Sequence, residues 1–140
     1  MADLKPLIRL RKYRVEEKQK VLAELFRQTE LLEGRKRVLS IEMDREEELA
    51  NESDSIDAIF AFVAYAARVN TEIEKLNMLL EKMEPKILKA QDDMREAFSE
   101  QKKAEIIQEK REDDEQKEIA RKENSNLDAI GVEVFRRKTE

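Results

Sequence analysis

The sequence predicts an all-α fold, an antiparallel two-helix coiled-coil hairpin whose second helix is longer than the first. Three observations carry that prediction. An apolar ladder of Ile59, Phe62, Ala66, Val69, Ile73, Leu76, Leu80, Met83, Ile87, Ala90, Met94, Ala97, Gln101 and Ala104 steps by three and four throughout, with Gln101 its one polar rung. An apolar residue about every 3.5 positions keeps one stripe of an α-helix facing a partner helix. The composition agrees: 44% charged residues, 5% aromatics, two glycines and two prolines do not suit a compact globule, while a hydrophobic fraction of 40% is too high for a disordered chain. Finally, short polar residues interrupt the apolar pattern before residue 56, where a bend would let two ladders face each other.

Helix 1 is expected over residues 4–50 of a single coiled-coil domain that takes in the whole chain. Asp3 is an N-cap type and Pro6 is tolerated in a first turn. Its heptad reads Leu4, Ile8, Arg11, Val15, Lys18, Leu22, Leu25, Thr29, Leu32, Lys36, Leu39, Met43, Glu46 and Ala50, nine of the fourteen being apolar. Gly34 lies off this seam and costs roughly 1 kcal/mol against alanine in a helix interior. The bend is placed at residues 51–55, Asn-Glu-Ser-Asp-Ser, whose short side chains compete with helical hydrogen bonding. Asp54 as N-cap, with Asp57 three residues on, would restart the chain as helix 2. One uninterrupted helix dimerising in parallel is the alternative.

Helix 2 is expected over residues 56–124. With the bend near residue 53, positions of the two helices pair when their numbers sum to about 107, which sets Ala50 near Asp57 and Leu4 near Lys103. The second ladder ends at Ala104, close to where helix 1 runs out. Basic residues 9–20 would lie beside the acidic stretch from Glu100 to Glu118, setting direction more than stability. Pro85 should bend helix 2, because it removes a backbone donor and clashes with the preceding turn. Beyond Ala104, residues 105–124 read as a solvated helix. A minor break at 124–126 precedes a C-terminal helical segment over 126–138, with a small apolar face of Leu127, Ile130, Val134 and Phe135 flanked by Arg136, Arg137 and Lys138.

The chain holds no cysteine and no histidine, so a disulfide framework, a zinc site and a Cys or His nucleophile are excluded. No cofactor is expected. Paired carboxylates need a concave, partly dry site to drive their pKa values apart, and a two-helix rod has none. Glu46, Glu47 and Glu48 read as a solvated face, and the two glycines stand too far apart for a phosphate loop. A net charge of −5 argues against a nucleic-acid binder. It is unevenly spread: residues 1–20 carry seven Lys or Arg against three acids, and residues 42–57 carry eight acids against Arg45 alone. The longest apolar run, residues 59–67, is too short for an integral membrane segment. Residues 1–10 hold no sustained apolar core, so no signal peptide is expected there.

Two places stand out as candidate partner sites. Residues 59–67 are apolar around the whole helix circumference, and Phe60 and Tyr65 fall off the seam, where a lone hairpin would leave them exposed. Packing against a folded-back segment or self-association is the alternative use of that collar. The second place is the far end, where the basic start of helix 1 meets the protruding C-terminal segment, read either as a frayed terminus or as a helix that folds into a groove or ring on another protein.

In length and order the chain resembles the FliJ proteins of bacterial flagellar type III export. The residues that carry the likeness are the entry Leu7-Ile8-Arg9-Leu10-Arg11-Lys12, the polar mid-chain bend, the long second helix, and the ending from Asn126-Leu127-Asp128-Ala129-Ile130 through Arg136-Arg137. The resemblance implies a non-enzymatic cytoplasmic stalk, similar to the rotary γ subunit of F-type ATPases, peripheral at the cytoplasmic face of the inner membrane. It implies that the terminal ends, carrying Ile8, Arg9, Arg11, Leu127, Asp128, Ile130, Phe135, Arg136 and Arg137, enter the hexameric export ATPase. It implies that the bend-proximal half contacts the cytoplasmic domain of the export gate protein through Val69, Ile73, Leu76 and Leu80, to which the residues themselves add Phe60 and Tyr65. Export chaperones are further implied partners. Two alternatives stay open: the stalk of a virulence-type secretion system, and a purely structural coiled-coil dimer.

Overall fold

The computed structural model describes residues 3–139 and contains two helices, α1 (Lys5–Glu52) and the longer α2 (Ile56–Thr139), packed against each other with no strand among the described residues. The antiparallel hairpin is thus the fold. By contacts the chain divides into two units, one of residues Glu16–Glu96 and one built from the chain up to Val15 together with the chain from Ala97 onward.

The unit Glu16–Glu96 contains the bend. The last turn of α1 closes where Ser53 N–H donates to the Leu49 carbonyl at 3.2 Å. Asp54 then takes a φ of 51°, the left-handed region that Asp tolerates better than most residues. Expectation and structure differ here by one residue. Ser55, not Asp54, caps α2, its Oγ accepting from Ala58 N–H at 3.4 Å while its carbonyl accepts from Ile59 N–H at 3.2 Å. Asp54 cannot serve, because a cap needs the extended backbone that the left-handed turn has used up.

Within this unit the ladders bury one another. Leu22, Leu39 and Ala50 of α1 and Val69, Leu76, Met83 and Ala90 of α2 are buried. Leu39, only 3% exposed, forms a cluster with Val69 and Leu76, and Leu32, Met43, Tyr65 and Ile73 pack around it. Burying one such leucine is worth about 1.5–3 kcal/mol. Lys18 and Glu46, polar occupants of helix 1 rungs, are exposed, as is Ile59 at the start of the ladder. Across the seam, Arg35 Nε meets Glu72 Oε1 at 3.3 Å, and the two numbers sum to the expected 107. Pro85 lies inside α2, whose helical assignment is continuous on both sides of it.

In the other unit the start of α1 lies beside α2. Val15 and Ala104 are buried, and Ile8, Arg11, Ala97 and Gln101 are half-buried. Asp3 Oδ1 accepts from Lys5 N–H at 3.1 Å, supporting the first turn. Leu4 N–H donates to Gln108 Oε1 at 3.0 Å, and Gln108 Nε2 reaches Asp3 Oδ1 at 3.3 Å. That partner lies about one turn beyond the Lys103 expected for Leu4. The reason is local: side chains lean toward the N-terminus of their own helix, so Gln108 reaches back to the level of Ala104 and satisfies an amide that the first turn leaves orphaned.

The basic start of helix 1 and the acidic stretch of α2 share this unit, but their ion pairs run mostly along a helix. Lys102 pairs with Glu105 and Lys103 with Glu100. Lys117 pairs with Asp113 and Arg121 with Glu118. Across the helices, Lys12 adds a smaller attraction to Glu105, whose carboxyl is held below the usual range chiefly by the Gln101 amide and then by Lys102. α2 continues as helix through residues 124–126, where the sequence reads a break, and on to Thr139. The three short polar residues cost too little helix propensity to stop it.

Candidate functional site

Lettering the rungs of each seam a and d sorts the bend end into two flanks. In an antiparallel pair the g positions of both helices share one flank and the e positions the other. Arg35 and Glu72 are both g residues, and their ion pair shows this arrangement directly. On the g flank, Leu49, Ala50, Ala58, Ala61, Phe62 and Tyr65 line a groove with Glu46 at its rim. Small side chains at 50, 58 and 61 leave it open.

Tyr65 departs from expectation. It is half-buried and packs against the Leu39 cluster; Val69, a member of that cluster, lies one turn further along α2, where i and i+4 side chains meet. Phe60 is 68% exposed. Val69 and Leu76 are buried, and Ile73 and Leu80 half-buried. The four residues that the family likeness assigns to a gate contact are therefore spent on the hairpin seam.

On the e flank a feature escaped the sequence reading. Ile56, Phe60, Val63 and Ala67 step by four, three and four along α2, and the first three are 69%, 68% and 58% exposed. They form a second apolar stripe. The signal was present as a period within residues 59–67, but an all-round apolar stretch hides two stripes in one.

At the terminal end, Ile8 and Arg11 are half-buried and Arg9 is exposed. From residue 112 to Thr139 every described residue except Glu133 is exposed. Glu133 is covered by its own ion pairs, with Arg136 at 2.9 Å and Arg137 at 3.5 Å. Leu127, Ile130 and Phe135 stand 64%, 60% and 68% exposed, and Asp128 is exposed as well. Extending the seam by its steps of three and four from Ala104 meets Gln108, Arg111, Glu115, Glu118, Lys122, Ser125 and Ala129. The apolar face at 127, 130 and 134 is off that track, so it is not a continuation of the seam that α1 covers.

Among the described residues no group of three or more acidic, histidine or cysteine side chains is placed to hold a metal ion, and no helix is long and apolar enough to cross a membrane. Both the bend and the tail expose apolar side chains, Ile56, Phe60 and Val63 in the one and Leu127, Ile130 and Phe135 in the other.

The sequence matches the family described as "Flagellar FliJ protein" over residues 1–140. The chain belongs to the FliJ family. Its connection is therefore with flagellar protein export, in a family of non-catalytic export proteins. No curated protein and no solved structure shows a match to the chain.

Proposed function

We propose that this FliJ family chain is a non-enzymatic stalk and chaperone of the flagellar export apparatus, coupling the hexameric export ATPase to the cytoplasmic domain of the export gate protein. The family match over the whole chain carries the reading. It is supported by the two ends being unlike: the tail presents Leu127, Ile130 and Phe135 beside Arg136 and Arg137, and the bend presents Phe60 in an acidic setting. In this reading the terminal end, from Ile8, Arg9 and Arg11 to Asp128 and beyond, enters the ATPase ring. The bend end takes the gate domain or an export chaperone. Phe60 is the contact of choice there, since Val69, Ile73, Leu76 and Leu80 would require the seam to open. The place of work is the cytoplasmic face of the inner membrane.

The test is hydrolysis by the purified export ATPase with and without the chain. Addition should raise the rate, and a chain truncated after Glu112, which keeps the paired helices and the Gln108 contacts, should not. An unchanged rate with the full chain, or equal stimulation by the truncated one, would sink the proposal.

A further inference from the structure

The acidic bend end and the basic run that closes the C-terminal segment carry unlike charge beside exposed apolar residues. Along α2 the e-flank stripe Ile56, Phe60, Val63 and Ala67 is exposed and offers about three turns of helix to a partner. Asp44 and Glu47 of α1 occupy the b and e positions on the same flank and are exposed beside it. They belong to the block over residues 42–57 in which eight acids face Arg45 alone. In the C-terminal segment Leu127, Ile130 and Val134 step by three and four, a shorter stripe of about two turns. It is followed directly by Phe135 and the run Arg136, Arg137 and Lys138, all exposed; Asp128 and Glu133 lie within the stripe's span and Glu133 pairs with both arginines, so the positive excess sits at the end of the segment, over 136–138.

We infer that the C-terminal segment of one copy docks on the e-flank stripe at the bend of a second copy, so that free chains associate head to tail. Charge chooses this pairing among the ways two copies could cover these stripes. Bend against bend sets two acidic blocks together, and tail against tail sets two Arg-Arg-Lys runs together; only tail against bend brings unlike charge beside apolar contact. Docking needs no opening of the hairpin, because both stripes lie off the seam. The contact is heterologous, leaving a free bend on one copy and a free tail on the other, so it propagates as an open chain. With one short stripe on each side it belongs to the small, transient class of interface. The inference rests on the two faces alone, yet it bears on regulation: a partner binding either end must displace the neighbouring copy.

The test uses the full chain by itself, which separates it from any failure of the ATPase reading. Sedimentation at low salt should show the average mass rising with concentration above the 16.5 kDa of one chain, and added salt should reverse the rise. Two charge-reversed chains, Asp44→Lys with Glu47→Lys and Arg136→Glu with Arg137→Glu, should each stay at the single-chain mass. All four positions are exposed, and circular dichroism should show helix content unchanged. Mixed in equal amounts, the two variants should associate again, since the native tail of one meets the native bend of the other. A native chain that stays at single-chain mass throughout overturns the inference, as do variants that associate like the native chain or a mixture that fails to associate.

Discussion

Leu39 and Leu31 lie on the same helix two turns apart and show what the heptad decides. Leu39 is 3% exposed at a rung and Leu31 is 60% exposed off the seam. Truncating the buried one removes its transfer free energy and leaves a cavity that two long helices can close only in part. Urea denaturation should therefore give Leu39→Ala a loss of about 2–4 kcal/mol, against about 0.5 kcal/mol or less for Leu31→Ala. Equal losses would mean that the ladder is not what holds the helices together. At this scale the ladder made burial legible: Val69, Leu76, Met83, Ala90 and Ala104 are all rungs and all buried. What it could not deliver was the behaviour of residues beside the rungs. Tyr65 is covered because it packs against the Leu39 cluster, one turn from Val69, and Ser55 caps α2 because Asp54 is used to turn the chain. The cap depends on backbone direction, which periodicity does not carry.

Each helix is also braced along its own length, in a way that acid should expose. Glu24 accepts from Arg27 at 2.6 and 2.9 Å and from Gln28 at 3.2 Å. The Arg27 hydrogen bonds, with Gln28 next, pull its carboxyl down from the usual 4.5 to about 2. A carboxyl whose folded pKa is depressed stabilises the helix above its unfolded pKa and loses that contribution as pH falls through the folded one. For Glu24 the window runs from about 4.5 down to about 2. Being fully in solvent, the pair is worth little to overall stability, so the local readout is the informative one. Carbon-detected NMR of the Glu24 carboxyl should show a titration midpoint well below 4.5, and Arg27→Met should raise it toward that value. A native midpoint at the ordinary glutamate value would show that the bond does not persist in solution. The helical hairpin with its longer second helix was readable from the sequence at this scale. The continuity of α2 through 124–126 was not, because a break in apolar pattern is not a break in backbone when the residues there cost little helix propensity.

For the whole molecule the consequence is an uneven distribution of stability along α2. Between residues 62 and 104 every rung of the ladder is at least half-buried, whereas from residue 112 to Thr139 only Glu133 is not exposed. An isolated helix draws on propensity and on pairs worth a few tenths of a kcal/mol each, while a packed one also gains from burial. The exposed part of α2 should then contribute to function and almost nothing to folding. Truncation after Glu112 keeps Leu4 and Asp3 in contact with Gln108, and Gln108 with Glu112. It should leave the unfolding free energy within about 0.5 kcal/mol of the full chain. Hydrogen exchange on the full chain should show the same division, with amides beyond residue 112 exchanging far faster than those around Val69 to Ala90. A large loss on truncation, or equal protection along α2, would mean that the tail is packed against something in the free chain. Fast exchange that becomes slow as the chain is concentrated would be the mark of the second copy inferred above.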